Sequence, residues 1–231
     1  MKAKIFAYLP ARNEEQHLAN CLESLLHQTL KPTILVINDG STDETEKIAL
    51  NYKVNVITLP FHKESYLSNI HLAYKLATVV NHVFPLPKNI DYMMAIAPDI
   101  ILPLDYIEKL VKLMEEDPKL VIASGVIKGE KCLRSHPRGA GRMFKTWFWN
   151  EHIHTYPENY TWESYPLYKA ASLGLKTESF PNLIFKTTRP TKNYKSNIWI
   201  CDAGAWLFSP FCDSKMLNVH VFFSKRRNND A

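Results

Sequence analysis

The chain has 231 residues, 46% hydrophobic and 22% charged, with a formal net charge of +5. That is an ordinary globular composition, long enough to bury a real core in one large domain or one domain with an appendage. The mild basic balance favours anionic ligands weakly and by itself names no partner.

In chain order, "KIFAYL" (Lys4–Leu9) is a short apolar, β-prone run. In "EEQHLANCLESLLHQTL" the apolar residues Leu18, Cys21, Leu22, Leu25 and Leu26 recur at helical spacing. Asn13 precedes that helix as a candidate N-cap, and Glu14 and Glu15 suit its positive end. "TILVIN" (Thr33–Asn38) is a second strand, followed by a helix from "DETEKIALNY" with Ser41 or Thr42 as the expected cap. "VNVITL" (Val54–Leu59) is a third strand and "ESYLSNIHLAYKLATVVNHV" a long helix. "DYMMAIA" (Asp91–Ala97) is a fourth strand, "PLDYIEKLVKLMEED" an amphipathic helix, and "KLVIASGVI" (Lys119–Ile127) a fifth strand.

Strands separated by helices of this length imply parallel pairing with right-handed crossovers. Such sheets bind ligands beyond the carboxyl ends of their strands. Pro10, Asn13 and Glu14 follow the first strand, Asp39 and Gly40 the second, and Asp99 the fourth. Three loops therefore deliver polar groups to one edge.

After about Gly129 the pattern changes to a stretch rich in aromatics and prolines. "HPRGAGRMFK" reads as a loop, either lying over an anionic ligand or simply solvated. Trp147, Phe148 and Trp149 are expected in the core, with an outward-facing patch as the alternative. No clean polar hinge separates the halves. Cys21, Cys132, Cys201 and Cys212 form no CxxC pair, which excludes a zinc knuckle or a dithiol redox motif. Cys21 is expected as a small core residue. No run of about 18 apolar residues occurs, so no membrane span is expected. "MKAKIFAYLPARNEE" is too polar for a secretory signal. The expectation is a cytoplasmic protein, with peripheral membrane contact left open.

Taken together, "YLPARNEE", "VINDGSTDET" and "MMAIAPDIILPLDYIEKLV" resemble family 2 glycosyltransferases of the GT-A fold, from Lys4 to Gly174. The resemblance implies an α/β, Rossmann-like, mostly parallel sheet flanked by helices, with an aromatic-rich acceptor-side second half. It implies a single domain, residues 1–128 forming the nucleotide-sugar half and 129–231 the acceptor side and tail. Pro10, Arg12 and Glu14 would lie against the base and ribose. Asp39 would accept a hydrogen bond from the base, since a carboxylate is acceptor-only. Gly40 would let the backbone approach closely. The same Asp-Gly-Ser-Thr-Asp run is also plain turn chemistry.

Asp99 matches the second aspartate of the family's D-x-D element and Ala97 stands in place of the first. The resemblance makes Asp99 the ligand of a divalent cation, manganese or magnesium, bridging the donor diphosphate. It sets Lys63 and Asn69 beside the sugar nucleotide, although Ser68 and His71 depart from the family pattern. It makes Glu163, in "YTWESYPLYKA", the catalytic base, and gives Trp162 a face for the acceptor; the family's usual Glu-Asp pair is missing. Against these stand a solvated lysine, a helix-surface asparagine, a first-turn helix acid and a core aromatic.

The implied function is inverting, metal-assisted transfer from a nucleotide-diphosphate-sugar donor to a saccharide, lipid-linked or protein acceptor. The rival is a non-catalytic sugar-nucleotide-binding protein of the same fold. Scattered charge and no recognisable RNA module argue against a nucleic-acid partner.

Overall fold

The computed structural model describes residues 2–64, 66, 74–159 and 161–189. In chain order they form β1 (Ile5–Ala11), α1 (Leu18–Leu26), β2 (Thr33–Asn38), α2 (Thr45–Asn51), β3 (Asn55–Thr58), α3 (Lys75–Asn81), β4 (Tyr92–Ala95), β5 (Ile100–Ile101), α4 (Tyr106–Glu116), β6 (Leu120–Ile127), β7 (Arg142–Lys145), α5 (Thr146–His152), α6 (Tyr165–Ser172) and β8 (Lys176–Thr187). Eight strands make one sheet in the order β3-β2-β1-β4-β7-β6-β8-β5.

The parallel half follows from the apolar runs. β1 pairs in parallel with β2 on one side and β4 on the other, and β2 with β3. Leu18, Cys21, Leu22 and Leu25 of α1 are all fully buried, as their spacing predicts. Burying each leucine contributes about 1.5–3 kcal/mol. Ile107, Leu110 and Met114 do the same for α4.

The second half departs from the expected order. Leu120–Ile127 is a strand, but it does not lie beside β4. β7 sits between them, antiparallel to both. The "GRMFK" stretch is therefore not a loop: Arg142, Met143, Phe144 and Lys145 are all buried. β8 was not foreseen, and it runs parallel to β6 with a register break between Ser124 and Val126. Pro181, which has no N–H for the ladder, lies in the part of β8 that this break leaves out of register. The end of β8 pairs with β5, Thr187 opposite Ile100, and so carries residues 187–189 next to Asp99.

Two expected caps are corrected. Asn13 does not cap α1, which begins at Leu18; it has a φ of 53°, and its Oδ1 accepts from Thr42 N at 2.9 Å. Neither Ser41 nor Thr42 caps α2. The cap position is Glu44, whose side chain makes no capping bond; Asp43, one residue earlier, accepts from Thr45 N through Oδ1 at 3.0 Å. The long third helix is described only as Lys75–Asn81. Phe148 and Trp149 are core, while Trp147 faces out. Among the described residues no helix is long and apolar enough to cross a membrane.

Candidate active site

Strand ends and their first loop residues define the site. A cavity of about 270 Å³ opens at the carboxyl edge of β1, β2 and β4. Pro10, Arg12, Glu14 and Asp39, from the first two strand-end loops, line one wall; Trp162 and Glu163 line the cavity from the second half, with Tyr8, Arg142 and Tyr156 also lining it. Six residues nominated from sequence therefore share one cavity. Of the other four, Gly40, Lys63 and Asp99 are not among its lining residues, Gly40 being buried and Lys63 exposed, and Asn69 falls outside the described residues.

The "NDGSTDET" loop is both turn and site. Asn38 Oδ1 accepts from Ser41 N at 3.1 Å, and Asp43 Oδ2 accepts from Glu15 N at 3.1 Å, which knits the two strand-end loops together. Asp39 is left to face the cavity, only 4% exposed. Its Oδ1 lies 3.0 Å from His62 Nε2, and Arg12 Nη1 donates to its backbone carbonyl at 2.9 Å. Arg12 also donates to the His62 carbonyl, so its guanidinium is turned toward residues 61–62. Gly40 has a φ of 60°, and a Cβ there would stand 2.8 Å from Phe61 Cα and from Pro60 O. The close approach it permits is by chain 60–61.

His62 was missed from sequence, where only its neighbour Lys63 drew attention. It follows β3, the third parallel strand, and so belongs to the same carboxyl edge; that position was the available signal. Its ring stacks on Tyr66 with centroids 4.3 Å apart, and Tyr66 lines the cavity.

In the second half, Glu163 occupies the turn leading into α6 and its side chain is 53% exposed. Arg142, 1% exposed, holds that turn. Its Nη1 donates to Glu163 O at 2.7 Å and its Nε to Pro137 O at 3.0 Å, while Nη2 lies 3.9 Å from Glu163 Oε1. Gly139 lies directly under the carboxylate: a Cβ there would meet Glu163 Oε1 at 1.8 Å. Trp162 sets its edge against Tyr156 with centroids 5.1 Å apart. Tyr156 OH and Tyr8 OH are 3.0 Å apart, and burial raises the pKa of both hydroxyls, Tyr156 to about 12. Both are therefore neutral hydrogen-bonding groups at the cavity floor.

Asp99 stands beside one guanidinium and one hydroxyl, with Glu14 across that guanidinium. Its Oδ2 accepts from Thr187 Oγ1 at 3.0 Å and faces Arg189 Nε at 3.1 Å. The same guanidinium pairs with Glu14 Oε2 through Nη2. Burial, opposed by Arg189 and reinforced by Asp99, raises the Glu14 pKa to about 7. Ala97 supplies no oxygen. Among the described residues no group of three or more His, Cys, Asp or Glu side chains is placed to hold a metal ion. The donors present do not fit the divalent ion expected at Asp99: that carboxylate is already ion-paired with Arg189, the same guanidinium holds Glu14, and Ala97 brings no further ligand.

Residues 7–210 match the family described as Glycosyl transferase family 2. The 4,4'-diaponeurosporenoate glycosyltransferase of Staphylococcus aureus (strain USA300) is 43% identical over 49 residues, which are 21% of this chain and 13% of that protein. The matched stretch is thus a small part of that curated relative. Among solved structures, the mannosyltransferase PcManGT from Pyrobaculum calidifontis, in complex with GDP-Man and Mn2+, superposes with a TM-score of 0.64 at 16% identity, covering 84% of this chain and 59% of its own. S. aureus TarS 1–349 in complex with UDP-GlcNAc gives 0.64 at 14% identity, covering 92% and 69%. Glucosyl-3-phosphoglycerate synthase from Mycobacterium tuberculosis, in complex with Mn2+, UDP and glucosyl-3-phosphoglycerate, gives 0.58 at 17% identity, covering 82% and 73%. At these identities the likeness shows a shared GT-A glycosyltransferase fold.

Proposed function

Because the chain belongs to glycosyl transferase family 2, we propose that it transfers a sugar, with inversion, from a nucleotide-diphosphate donor to an acceptor hydroxyl. One observation carries this reading. Pro10, Glu14 and Asp39 of the strand-end loops, and Trp162 and Glu163 of the second half, line the same cavity. A donor held on one wall would then have its anomeric carbon directed at an acceptor on the other.

In this reading Asp39 receives a ring N–H of the base. Glu163 takes the acceptor proton as the acceptor oxygen attacks, and its half-exposed carboxylate leaves room for that oxygen. Trp162 offers the acceptor an apolar face. Two of the similar structures were solved in complex with Mn2+, one with GDP-Man and one with UDP and glucosyl-3-phosphoglycerate. Here the donor set around Asp99 does not fit a divalent ion, so no step is assigned to a metal.

The test is turnover with a panel of UDP- and GDP-sugars and saccharide acceptors, beside calorimetric binding of each donor. Transfer by the wild type and its loss in Glu163→Gln, with donor affinity kept, is the expected result. Binding of a sugar nucleotide without hydrolysis or transfer would instead give the non-catalytic binding protein. No binding by any sugar nucleotide would overturn both.

A further inference from the structure

Arg189 belongs to no motif read from the sequence, yet it touches two of the acidic residues that were. Its Nε faces Asp99 Oδ2 at 3.1 Å and its Nη2 pairs with Glu14 Oε2. The fold holds it there. Thr187 pairs with Ile100 across β8 and β5, Thr188 N donates to Asp99 O at 2.7 Å, and Thr188 Oγ1 lies 2.7 Å from His17 Nδ1. The chain on which Arg189 sits is thus pinned to the segment that carries Asp99.

We propose that Arg189 is the cation that receives the donor's diphosphate, in the place where the family resemblance expects a divalent ion. This rests on the glycosyltransferase reading above. Three observations support it. Ala97 removes one metal ligand, and the remaining carboxylate is already paired with a guanidinium. The other nearby cations are committed elsewhere: Arg12 donates to the backbone at Asp39 and His62, and Lys63 is exposed on its loop. Arg189 itself keeps donors to spare. A guanidinium has five N–H groups. Nη2 donates to Glu14; among the described residues Nε faces Asp99 Oδ2 at 3.1 Å but is buried without a hydrogen-bond partner, and Nη1 has none either. The side chain is 41% exposed; it lines not the 270 Å³ cavity but a second pocket with Asn13, His17 and Asp43, and meets the cavity through Glu14, so a diphosphate extending out of the cavity can reach it.

Chemically, a guanidinium does one part of what the ion would do. It stays charged at any working pH and its planar fork matches phosphate oxygens. As the bond from the anomeric carbon to the diphosphate oxygen breaks, the electron pair stays on that oxygen. Arg189 stabilises the charge by hydrogen bonding and transfers no proton. The acceptor oxygen bonds to the same carbon and its proton goes to Glu163. Glu14 and Asp99 orient the fork.

The experiment is calorimetry on the full chain, comparing wild type, Arg189→Met and Arg189→Lys. The probes are inorganic pyrophosphate, uridine, UDP, guanosine and GDP, each in EDTA and in manganese. Wild type is expected to bind pyrophosphate and one diphosphate in EDTA, with manganese changing either affinity by less than about twofold. Arg189→Met should weaken both by about tenfold to a hundredfold and leave the nucleoside unchanged. Arg189→Lys, which keeps charge but not the fork, should fall between, and it carries the test if the Met variant does not fold. A merely structural Arg189 would shift melting temperature without separating diphosphate from nucleoside. Equal pyrophosphate binding by wild type and Arg189→Met overturns the proposal. So does an absence of pyrophosphate binding in EDTA, or a rise of about tenfold or more with manganese. Binding of pyrophosphate through Arg189 with no nucleotide bound would instead sink the donor reading and leave Arg189 an oxyanion site.

Discussion

Gly139→Ala isolates Glu163 from the rest of the molecule. The added methyl would lie 1.8 Å from Glu163 Oε1 and 2.9 Å from its Cδ. Ordinary contact is about 3.5 Å, so the carboxylate must swing away by roughly 1.5 Å. The side chain is half exposed and can turn into solvent, which makes the adjustment cheap. Gly139 does not have a left-handed φ, so alanine fits its backbone and should change stability by no more than about 1 kcal/mol, in the stabilising direction. A misplacement of about 1 Å in a reacting group costs about a hundredfold in rate. The expected variant therefore melts at or above the wild-type temperature, binds donor normally, and loses about two orders of magnitude in kcat. Saturating initial rates, donor calorimetry and a thermal melt read the three quantities. Wild-type kcat in a well-folded Gly139→Ala would refute the placement of the base at Glu163.

Glu163→Gln should lower transfer by about 10²–10⁴-fold with donor affinity nearly intact; equal turnover would move the base elsewhere. Asp39→Ala should weaken nucleotide binding by about 1.5–3 kcal/mol, read by calorimetry, since a charge-assisted hydrogen bond is lost. Unchanged affinity for every nucleotide would remove Asp39 from the site. Glu14, with its pKa raised to about 7 in the fold, is protonated more readily folded than unfolded. Its contribution to stability is thus full below about pH 4.5 and is lost as pH rises through about 7, by about 3 kcal/mol. Glu14→Gln should flatten that fall in melts taken from pH 5 to 8, and an unchanged slope would contradict it. Arg142→Leu should destabilise by about 3 kcal/mol, because Pro137 O and Glu163 O lose a charged donor in a buried place; a chemical denaturation curve unchanged from wild type would show the guanidinium to be dispensable.

The parallel half of the fold was legible because its rules are local. Apolar runs such as Ile34 to Ile37, buried on both faces, alternate with the 3.6-residue spacing of Leu18, Cys21, Leu22 and Leu25, and that alternation dictates crossovers. The same rules put Pro10, Glu14 and Asp39 at one edge. What they could not show was which neighbour each loop residue takes. Asn13 looked like a cap and instead braces the second loop; Gly40 makes room for residue 61. Arg189 was invisible for a deeper reason. Its place depends on β8 running back beside β5, a pairing of residues more than 80 positions apart that no spacing rule announces.

β7 shows why composition misleads there. "RMFK" carries a cation at each end, which in isolation reads as a solvated turn. Slotting the strand between β4 and β6 buries both ends, and each cation then needs acceptors. Lys145 finds the carbonyls of Asp117 and Pro118 at 3.2 Å, and burial lowers its pKa. Arg142 finds those of Pro137 and Glu163. Lys145 is spent on the carbonyls of Asp117 and Pro118, whereas Arg142, which also lines the cavity, ties the candidate site together. It joins the central sheet, the loop over Gly139 and the turn bearing Glu163 through one guanidinium. The turn that bears Glu163, the proposed base, is thereby referenced to the same sheet that carries Asp39 and Glu14. A base mounted on a turn with no such tie would sample several positions. Buried charge-assisted bonds to its backbone limit where the half-exposed Glu163 carboxylate can reach, which the proposed displacement at one carbon needs.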